Sequence, residues 1–167
     1  MTGKLIDMCI DSHHEGKQLL KEGRTTREII KSLNEQIASC ESVGQSELHV
    51  LPSFHGNRSP LANPRLKGGV YGLTAERQPE LIDYYIATVE STVYETKLIV
   101  ETLKMKLDTM LVSGGLMKNS FYMQTLADVL GCQVVKMALA DVDFMVMGSG
   151  LVARQAVLNG LELNKFG

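Results

Sequence analysis

The sequence predicts an α/β domain, and three observations carry that prediction. Amphipathic helical patterns alternate along the chain with apolar runs only three or four residues long, the length of short strands. Glycine-rich breaks separate run from helix, most clearly in TMLVSGGLMKNSFYMQTLADVLG from Thr109 to Gly131. A chain of 167 residues, 44% hydrophobic and 22% charged, is also long and apolar enough to bury the core of one domain.

The elements follow in order. Residues 3–22 read as one or two short helices with a polar break at His13, His14 and Glu15. Thr25 with Glu28 fits a capping box ahead of Ile29, Ile30, Leu33 and Ile37, which mark one helix face. A polar loop, Gly44 to Glu47, leads to a strand over Leu48 to Leu51. Residues 52–68 are irregular and punctuated by Pro52, Pro60 and Pro64. Connections that long in a compact domain are usually functional or disordered, and Phe54, Leu61 and Leu66 favour an ordered, functional loop. Val70 and Tyr71 form a short strand or turn. With Pro79 as first helical residue, a long helix carries Leu81, Ile82, Tyr85, Ile86, Val89, Val93 and Leu98 to about Leu103. Met110 to Val112 form a buried strand, Phe121, Leu126, Val129 and Leu130 a helix that Gly131 stops, and Gln133 to Lys136 another strand. A last helix spans about Val142 to Leu158, with Gly148, Ser149, Gly150, Ala153 and Ala156 as small packing residues.

Composition narrows the function. A net charge of −2, 5% aromatic residues and no Trp supply neither a basic face nor stacking platforms, so neither nucleic acid nor an acidic membrane is expected as partner. Cys9, Cys40 and Cys132 are widely spaced without a CxxC, which argues against a disulfide framework or zinc site and for reduced thiols in the cytoplasm. No signal-peptide pattern opens the sequence, and the most apolar stretch, Phe144 to Val157, contains two glycines and Arg154.

Several motifs invite a chemical reading. Gly114 and Gly115 sit between strand and helix, where the missing Cβ lets a flat ligand approach the backbone. Asn119, at the start of that helix, can cap free N–H groups or reach a ligand. Gly148-Ser149-Gly150-Leu-Val-Ala153 matches GxGxxA, but the second strand and acidic residue that this fingerprint needs do not follow it. There is no P-loop and no nucleophile elbow. His13 and His14 would point about 100° apart on a helix, so a solvated polar face is the reading there and no metal site is expected. No carboxylate stands beside a catalytic partner, so no catalytic residue is assigned. Ser53 to Pro64, SFHGNRSPLANP, gathers His55, Gly56, Asn57, Arg58 and Ser59 between prolines. Arg58 offers a planar fork for phosphate or carboxylate, or else a structural bond to loop carbonyls.

LHVLPSFHGNRSPLANPRLKGGVYGLT (Leu48 to Thr74) resembles the C-terminal domain of FGGY-family carbohydrate kinases, and within them the ribulokinase-like branch. Gly68-x-Val70-x-Gly72-Leu73, with Asp83 and Ala87-Thr88-Val89-Glu90, is similar to the family's second signature. LVSGGLMKN (Leu111 to Asn119), with Gln124, Ala127, Asp128 and Gly131, is similar to its adenosine-binding motif. The resemblance implies the C-terminal half of an actin-like, ribonuclease H-like ATPase fold, a mixed sheet flanked by helices. Residues 1–47 would be a helical lead-in and 48–160 the core of one domain. It further implies ATP as cofactor, with Mg in the complete enzyme, and transfer of the γ-phosphate to a sugar or polyol hydroxyl. Gly114, Gly115, Leu116 and Asn119 would line the adenosine pocket, and Gly56, Asn57 and Arg58 would face the cleft between two domains.

There are departures. Family members are roughly three times as long, consistent with two domains, and their N-terminal half supplies the catalytic base and most sugar contacts. The isolated chain is therefore expected to bind adenine nucleotide without acting as a kinase, to meet sugar only beside a complementary N-terminal domain, and to self-associate as a homo-oligomer through its bare face. The rival reading is a non-catalytic nucleotide-binding or regulatory module derived from such a kinase. Asn63 stands where the family usually has Asp, and Gly148-Ser149-Gly150 where it has Gly-Ala-Ala.

Overall fold

The computed structural model describes residues 2–39, 47–76, 78–136 and 144–158. Their order is α1 (Thr2–Ser12), α2 (His14–Lys21), α3 (Thr26–Ser39), β1 (His49–Leu51), β2 (Gly69–Tyr71), α4 (Leu81–Thr102), β3 (Thr109–Val112), a 3₁₀ turn (Gly115–Lys118), α5 (Ser120–Leu130), β4 (Gln133–Lys136) and α6 (Phe144–Leu158). The α/β class holds. Among the described residues the strands fall into two two-stranded sheets, β1 with β2 and β3 with β4. β1 and β2 run antiparallel, with Val50 opposite Val70. The chain divides into two compact units, 1–135 and 136–167.

The first unit is organised around α4. Leu81, Tyr85, Val89 and Val93 recur every fourth residue, which puts them on one helix stripe, and all four are fully buried. Ile6 and Ile10 of α1, Ile29 and Leu33 of α3, and Tyr122, Met123 and Leu126 of α5 close over that stripe. Thr88, Ser91 and Thr92 are buried on the same helix without penalty, because each hydroxyl donates to a carbonyl three or four residues back, at 2.6, 2.7 and 2.8 Å.

Local signals start and stop the helices largely as read. Thr25 and Glu28 form the capping box in both directions: Glu28 Oε2 accepts from the Thr25 N–H at 2.8 Å and Thr25 Oγ1 from the Glu28 N–H at 3.3 Å. Gly131 ends α5 in the left-handed region at φ 64°, its N–H donating to the Ala127 carbonyl. Pro79 is a correction: Glu80 is the N-cap of α4, and Pro79 lies one residue outside it. The polar break is a second correction. His13 is buried and its Nε2–H donates to the Pro79 carbonyl at 3.2 Å, while Glu15 Oε2 accepts from the Leu81 N–H at 3.2 Å. A carboxylate at a helix N-terminus meets both free N–H groups and the positive end of the dipole, so this pair clamps α2 onto the start of α4. In the second unit, α6 begins at Phe144, the expected start at Val142 lying outside the described residues. A Cβ on Gly148 or Gly150 would meet no atom within 4 Å among the described residues.

Tyr85 holds three helices in register. Its hydroxyl donates to Asn34 Oδ1 of α3 at 2.9 Å and accepts from Asn119 Nδ2, at the head of α5, at 2.7 Å. Burial pushes its pKa from 10.0 to about 12, and that of the buried Cys9 thiol from 9.0 to about 11. Tyr85→Phe should lower stability by about 1–3 kcal/mol, because two carboxamides lose their partner. For a group whose folded pKa is raised, the stabilisation is complete below the unfolded pKa and is lost as pH climbs through the folded one. Urea unfolding should therefore show stability falling between pH 10 and 12 in the parent, and falling less over that interval in Tyr85→Phe.

Candidate functional site

The glycine turn after β3 is built by conformation first. Gly114 adopts φ 86° and ψ −167°, a region that only glycine enters without strain. Gly115 then starts the 3₁₀ turn, and among the described residues no atom beyond its chain neighbours lies within 4 Å of where its Cβ would stand. Asn119 closes the turn and caps α5, its Oδ1 accepting from the Tyr122 N–H at 3.1 Å. Both polar ends of Asn119 are thus bonded inside the protein, and its side chain is buried.

A cleft of about 950 Å³ opens beside this turn. Gly115, Leu116 and Asn119 form one wall, Ile30 and Asn34 of α3 a second, and Gly3 and Ile6 of α1 a third. Arg27, Lys31 and Lys118 stand exposed at its border, with Asp7 and Glu35. Lys31 pairs with Glu35 at 3.8 Å, an exposed contact of little energetic weight. Of the four residues read from the sequence, Gly115, Leu116 and Asn119 line the cleft; Gly114 acts through the backbone shape it permits. The walls from α1 and α3 were not singled out in the sequence. The available signal was Asn34, a carboxamide one turn beyond Ile30 on an otherwise apolar helix stripe.

The proline-rich loop is ordered by its own asparagine. Asn57 is buried, donates from Nδ2 to Glu95 Oε1 of α4 at 2.8 Å, and accepts at Oδ1 from the Leu61 N–H at 3.0 Å. Burial raises the Glu95 pKa. Gly56 has φ 76°, and a Cβ there would overlap the backbone of Pro64. Arg58 is exposed and makes no ion pair among the described residues. It borders a recess of about 200 Å³ with His55, Gly56, Thr92 and Glu95. The two places do not merge: no lining residue is shared, and α1 lies between, with Ile6 and Asp7 on the larger cleft and Leu5 on the recess.

Among the described residues no group of three His, Cys, Asp or Glu side chains is placed to hold a metal, and no helix is long and apolar enough to cross a membrane. Cys9 and Cys132 are free thiols; Cys40 lies outside the described residues.

A glycine turn at the C-terminal end of a strand, opening a cleft beside a helix start, is a nucleotide-binding arrangement in many α/β proteins. Here the match is to one family. Residues 1–153 fit the C-terminal domain of the FGGY family of carbohydrate kinases, and the chain belongs to that family. The human FGGY carbohydrate kinase domain-containing protein is 35% identical over 162 residues, 91% of this chain and 29% of that protein. The ribulokinase of Bacillus licheniformis is 35% identical over 126 residues, 73% of this chain and 22% of that one. Ligand-bound xylulose kinase from Lactobacillus acidophilus superimposes with a TM-score of 0.67 at 21% identity, covering 97% of this chain and 30% of the other. The actin-like ATPase fold follows from such neighbours, and the chain spans less than a third of each of these three proteins.

Asn57→Ala leaves the Leu61 N–H and the half-buried Glu95 carboxylate without a partner and should cost about 1–3 kcal/mol. Limited proteolysis should then cut between residues 53 and 66 much faster than in the parent, while the melt stays cooperative.

Proposed function

We propose that this chain is the ATP-binding C-terminal domain of a carbohydrate kinase, holding the adenosine end of the nucleotide in the cleft beside Gly115. The observation that carries the reading is that open space beyond Gly115, where the family's adenosine motif falls. The cleft is of a size that ligand pockets typically have, and it is bounded by apolar Ile6, Ile30 and Leu116 with a few carboxamides. Those residues fit a flat base: Leu116 and Ile30 offer apolar contact, and the bare Gly115 backbone lets a ring lie close. When bound, ATP supplies the phosphoryl group for transfer to a sugar or polyol hydroxyl, a pentulose such as ribulose being the substrate we favour. Mg would belong to the complete enzyme.

Phosphoryl transfer rests on positioning and charge stabilisation. No general base for a sugar hydroxyl is assigned within this chain, so the reaction requires a complementary N-terminal domain. Arg58, exposed and without an ion pair among the described residues, would present its fork to an anionic group in the cleft between the two domains. The setting is cytoplasmic, in keeping with two free thiols.

Titration of AMP, ADP and ATP followed by NMR should give dissociation constants of roughly 0.1 to 10 mM. The three should differ by less than about tenfold, because Arg27, Lys31 and Lys118 are exposed and screened. Gly115→Val should abolish binding with the fold retained, and Arg58→Ala should leave it unchanged. Mixed with ATP, Mg²⁺ and pentuloses, the chain should release no ADP above background. Unaltered binding by Gly115→Val would sink the reading.

A further inference from the structure

The hydrogen-bond chain beneath the cleft has a direction, and that direction sets what the α3 wall offers a ligand. It starts from a donor that cannot be reversed. The Tyr122 N–H, in the first turn of α5, donates to Asn119 at 3.1 Å, so the atom facing it is the oxygen Oδ1. Asn119 must then turn Nδ2 toward Tyr85, whose hydroxyl oxygen accepts at 2.7 Å. The single hydroxyl proton of Tyr85 is left to donate onward, and Asn34 lies 2.9 Å away. Tyr85 is fully buried. If Asn34 were flipped, with its nitrogen on Tyr85, that proton would have no acceptor in an apolar interior, a state folded proteins avoid. Asn34 therefore keeps Oδ1 on Tyr85 and turns Nδ2 away.

The Nδ2 group makes no hydrogen bond among the described residues, and it is not a buried unpartnered atom. Asn34 is half-buried and lines the cleft together with Leu116 and Asn119. We propose that Asn34 is a base-reading residue: its amide hydrogens donate to a ring nitrogen of the bound nucleobase, with Tyr85 as the positioning residue that prevents the carboxamide from flipping. The ligand class is a heterocycle presenting an acceptor toward α3. Adenine qualifies at N1, N3 or N7, each of which accepts and none of which donates. The inference rests on the adenosine reading of this cleft.

The test uses neutral adenosine, so that no phosphate charge enters, with its 1-deaza, 3-deaza and 7-deaza analogues, each lacking one ring acceptor. Binding is read by NMR titration, and each variant is checked for a cooperative melt. On the parent, one analogue should bind at least about fivefold more weakly than adenosine. On Asn34→Ala, that analogue and adenosine should bind alike. Asn34→Asp keeps an acceptor for Tyr85 but replaces the donors with oxygen, and should bind adenosine about tenfold more weakly. If Asn34→Asp does not fold, the analogue series on the parent and Asn34→Ala decides. Equal binding of all three analogues to the parent overturns the assignment of Asn34 alone, provided Gly115→Val still abolishes adenosine binding. If Gly115→Val binds like the parent, the adenosine reading and this inference fall together.

Discussion

One buried phenol has to place one proton, and much of the first unit is arranged around the solution. Tyr85 lies fully enclosed on α4 with a carboxamide on either side, one from α3 and one from the head of α5. Apolar packing alone tolerates sliding, because a stripe of Leu, Ile and Val is satisfied by many neighbouring registers. A buried hydroxyl tolerates few, since losing either partner leaves polar atoms stranded in a low dielectric. The same three residues therefore fix how far α3 stands from the glycine turn, which is to say how wide the cleft is.

The loop over residues 52–68 obeys the same rule on a smaller scale. None of its side chains joins the main apolar cluster, yet Asn57 ties it to α4 through Glu95 and to itself through Leu61 and Asn63. Gly56 permits the tight approach to Pro64 that this knot requires. Arg58 is left outside the knot, exposed and without an ion pair among the described residues.

What could be read in the sequence was whatever depends on near neighbours. The Thr25–Glu28 box, the Gly131 stop and the α4 stripe each lie within a few residues of their cause. The glycine turn was legible for the same reason, and the family motifs gave it a meaning that spacing alone did not. Pro79 misled because Glu80 supplies the N-cap of α4, leaving the proline one residue outside the helix. His13 and Glu15 misled more deeply: their partners, Pro79 and Leu81, are 66 residues away, and nothing local marks a polar residue as one end of a distant clamp. The cleft walls were hidden likewise. Gly3, Ile6 and Asn34 become neighbours of Gly115 only after three helices have packed on α4.

Helix α1 is the partition between the larger cleft and the Arg58 recess, with Ile6 and Asp7 on one side and Leu5 on the other. Consecutive residues on a helix are set about 100° apart, so these contacts belong to a single rigid rod. The larger cleft and the Arg58 recess therefore share a single helix as a wall, each bordered by different residues of it.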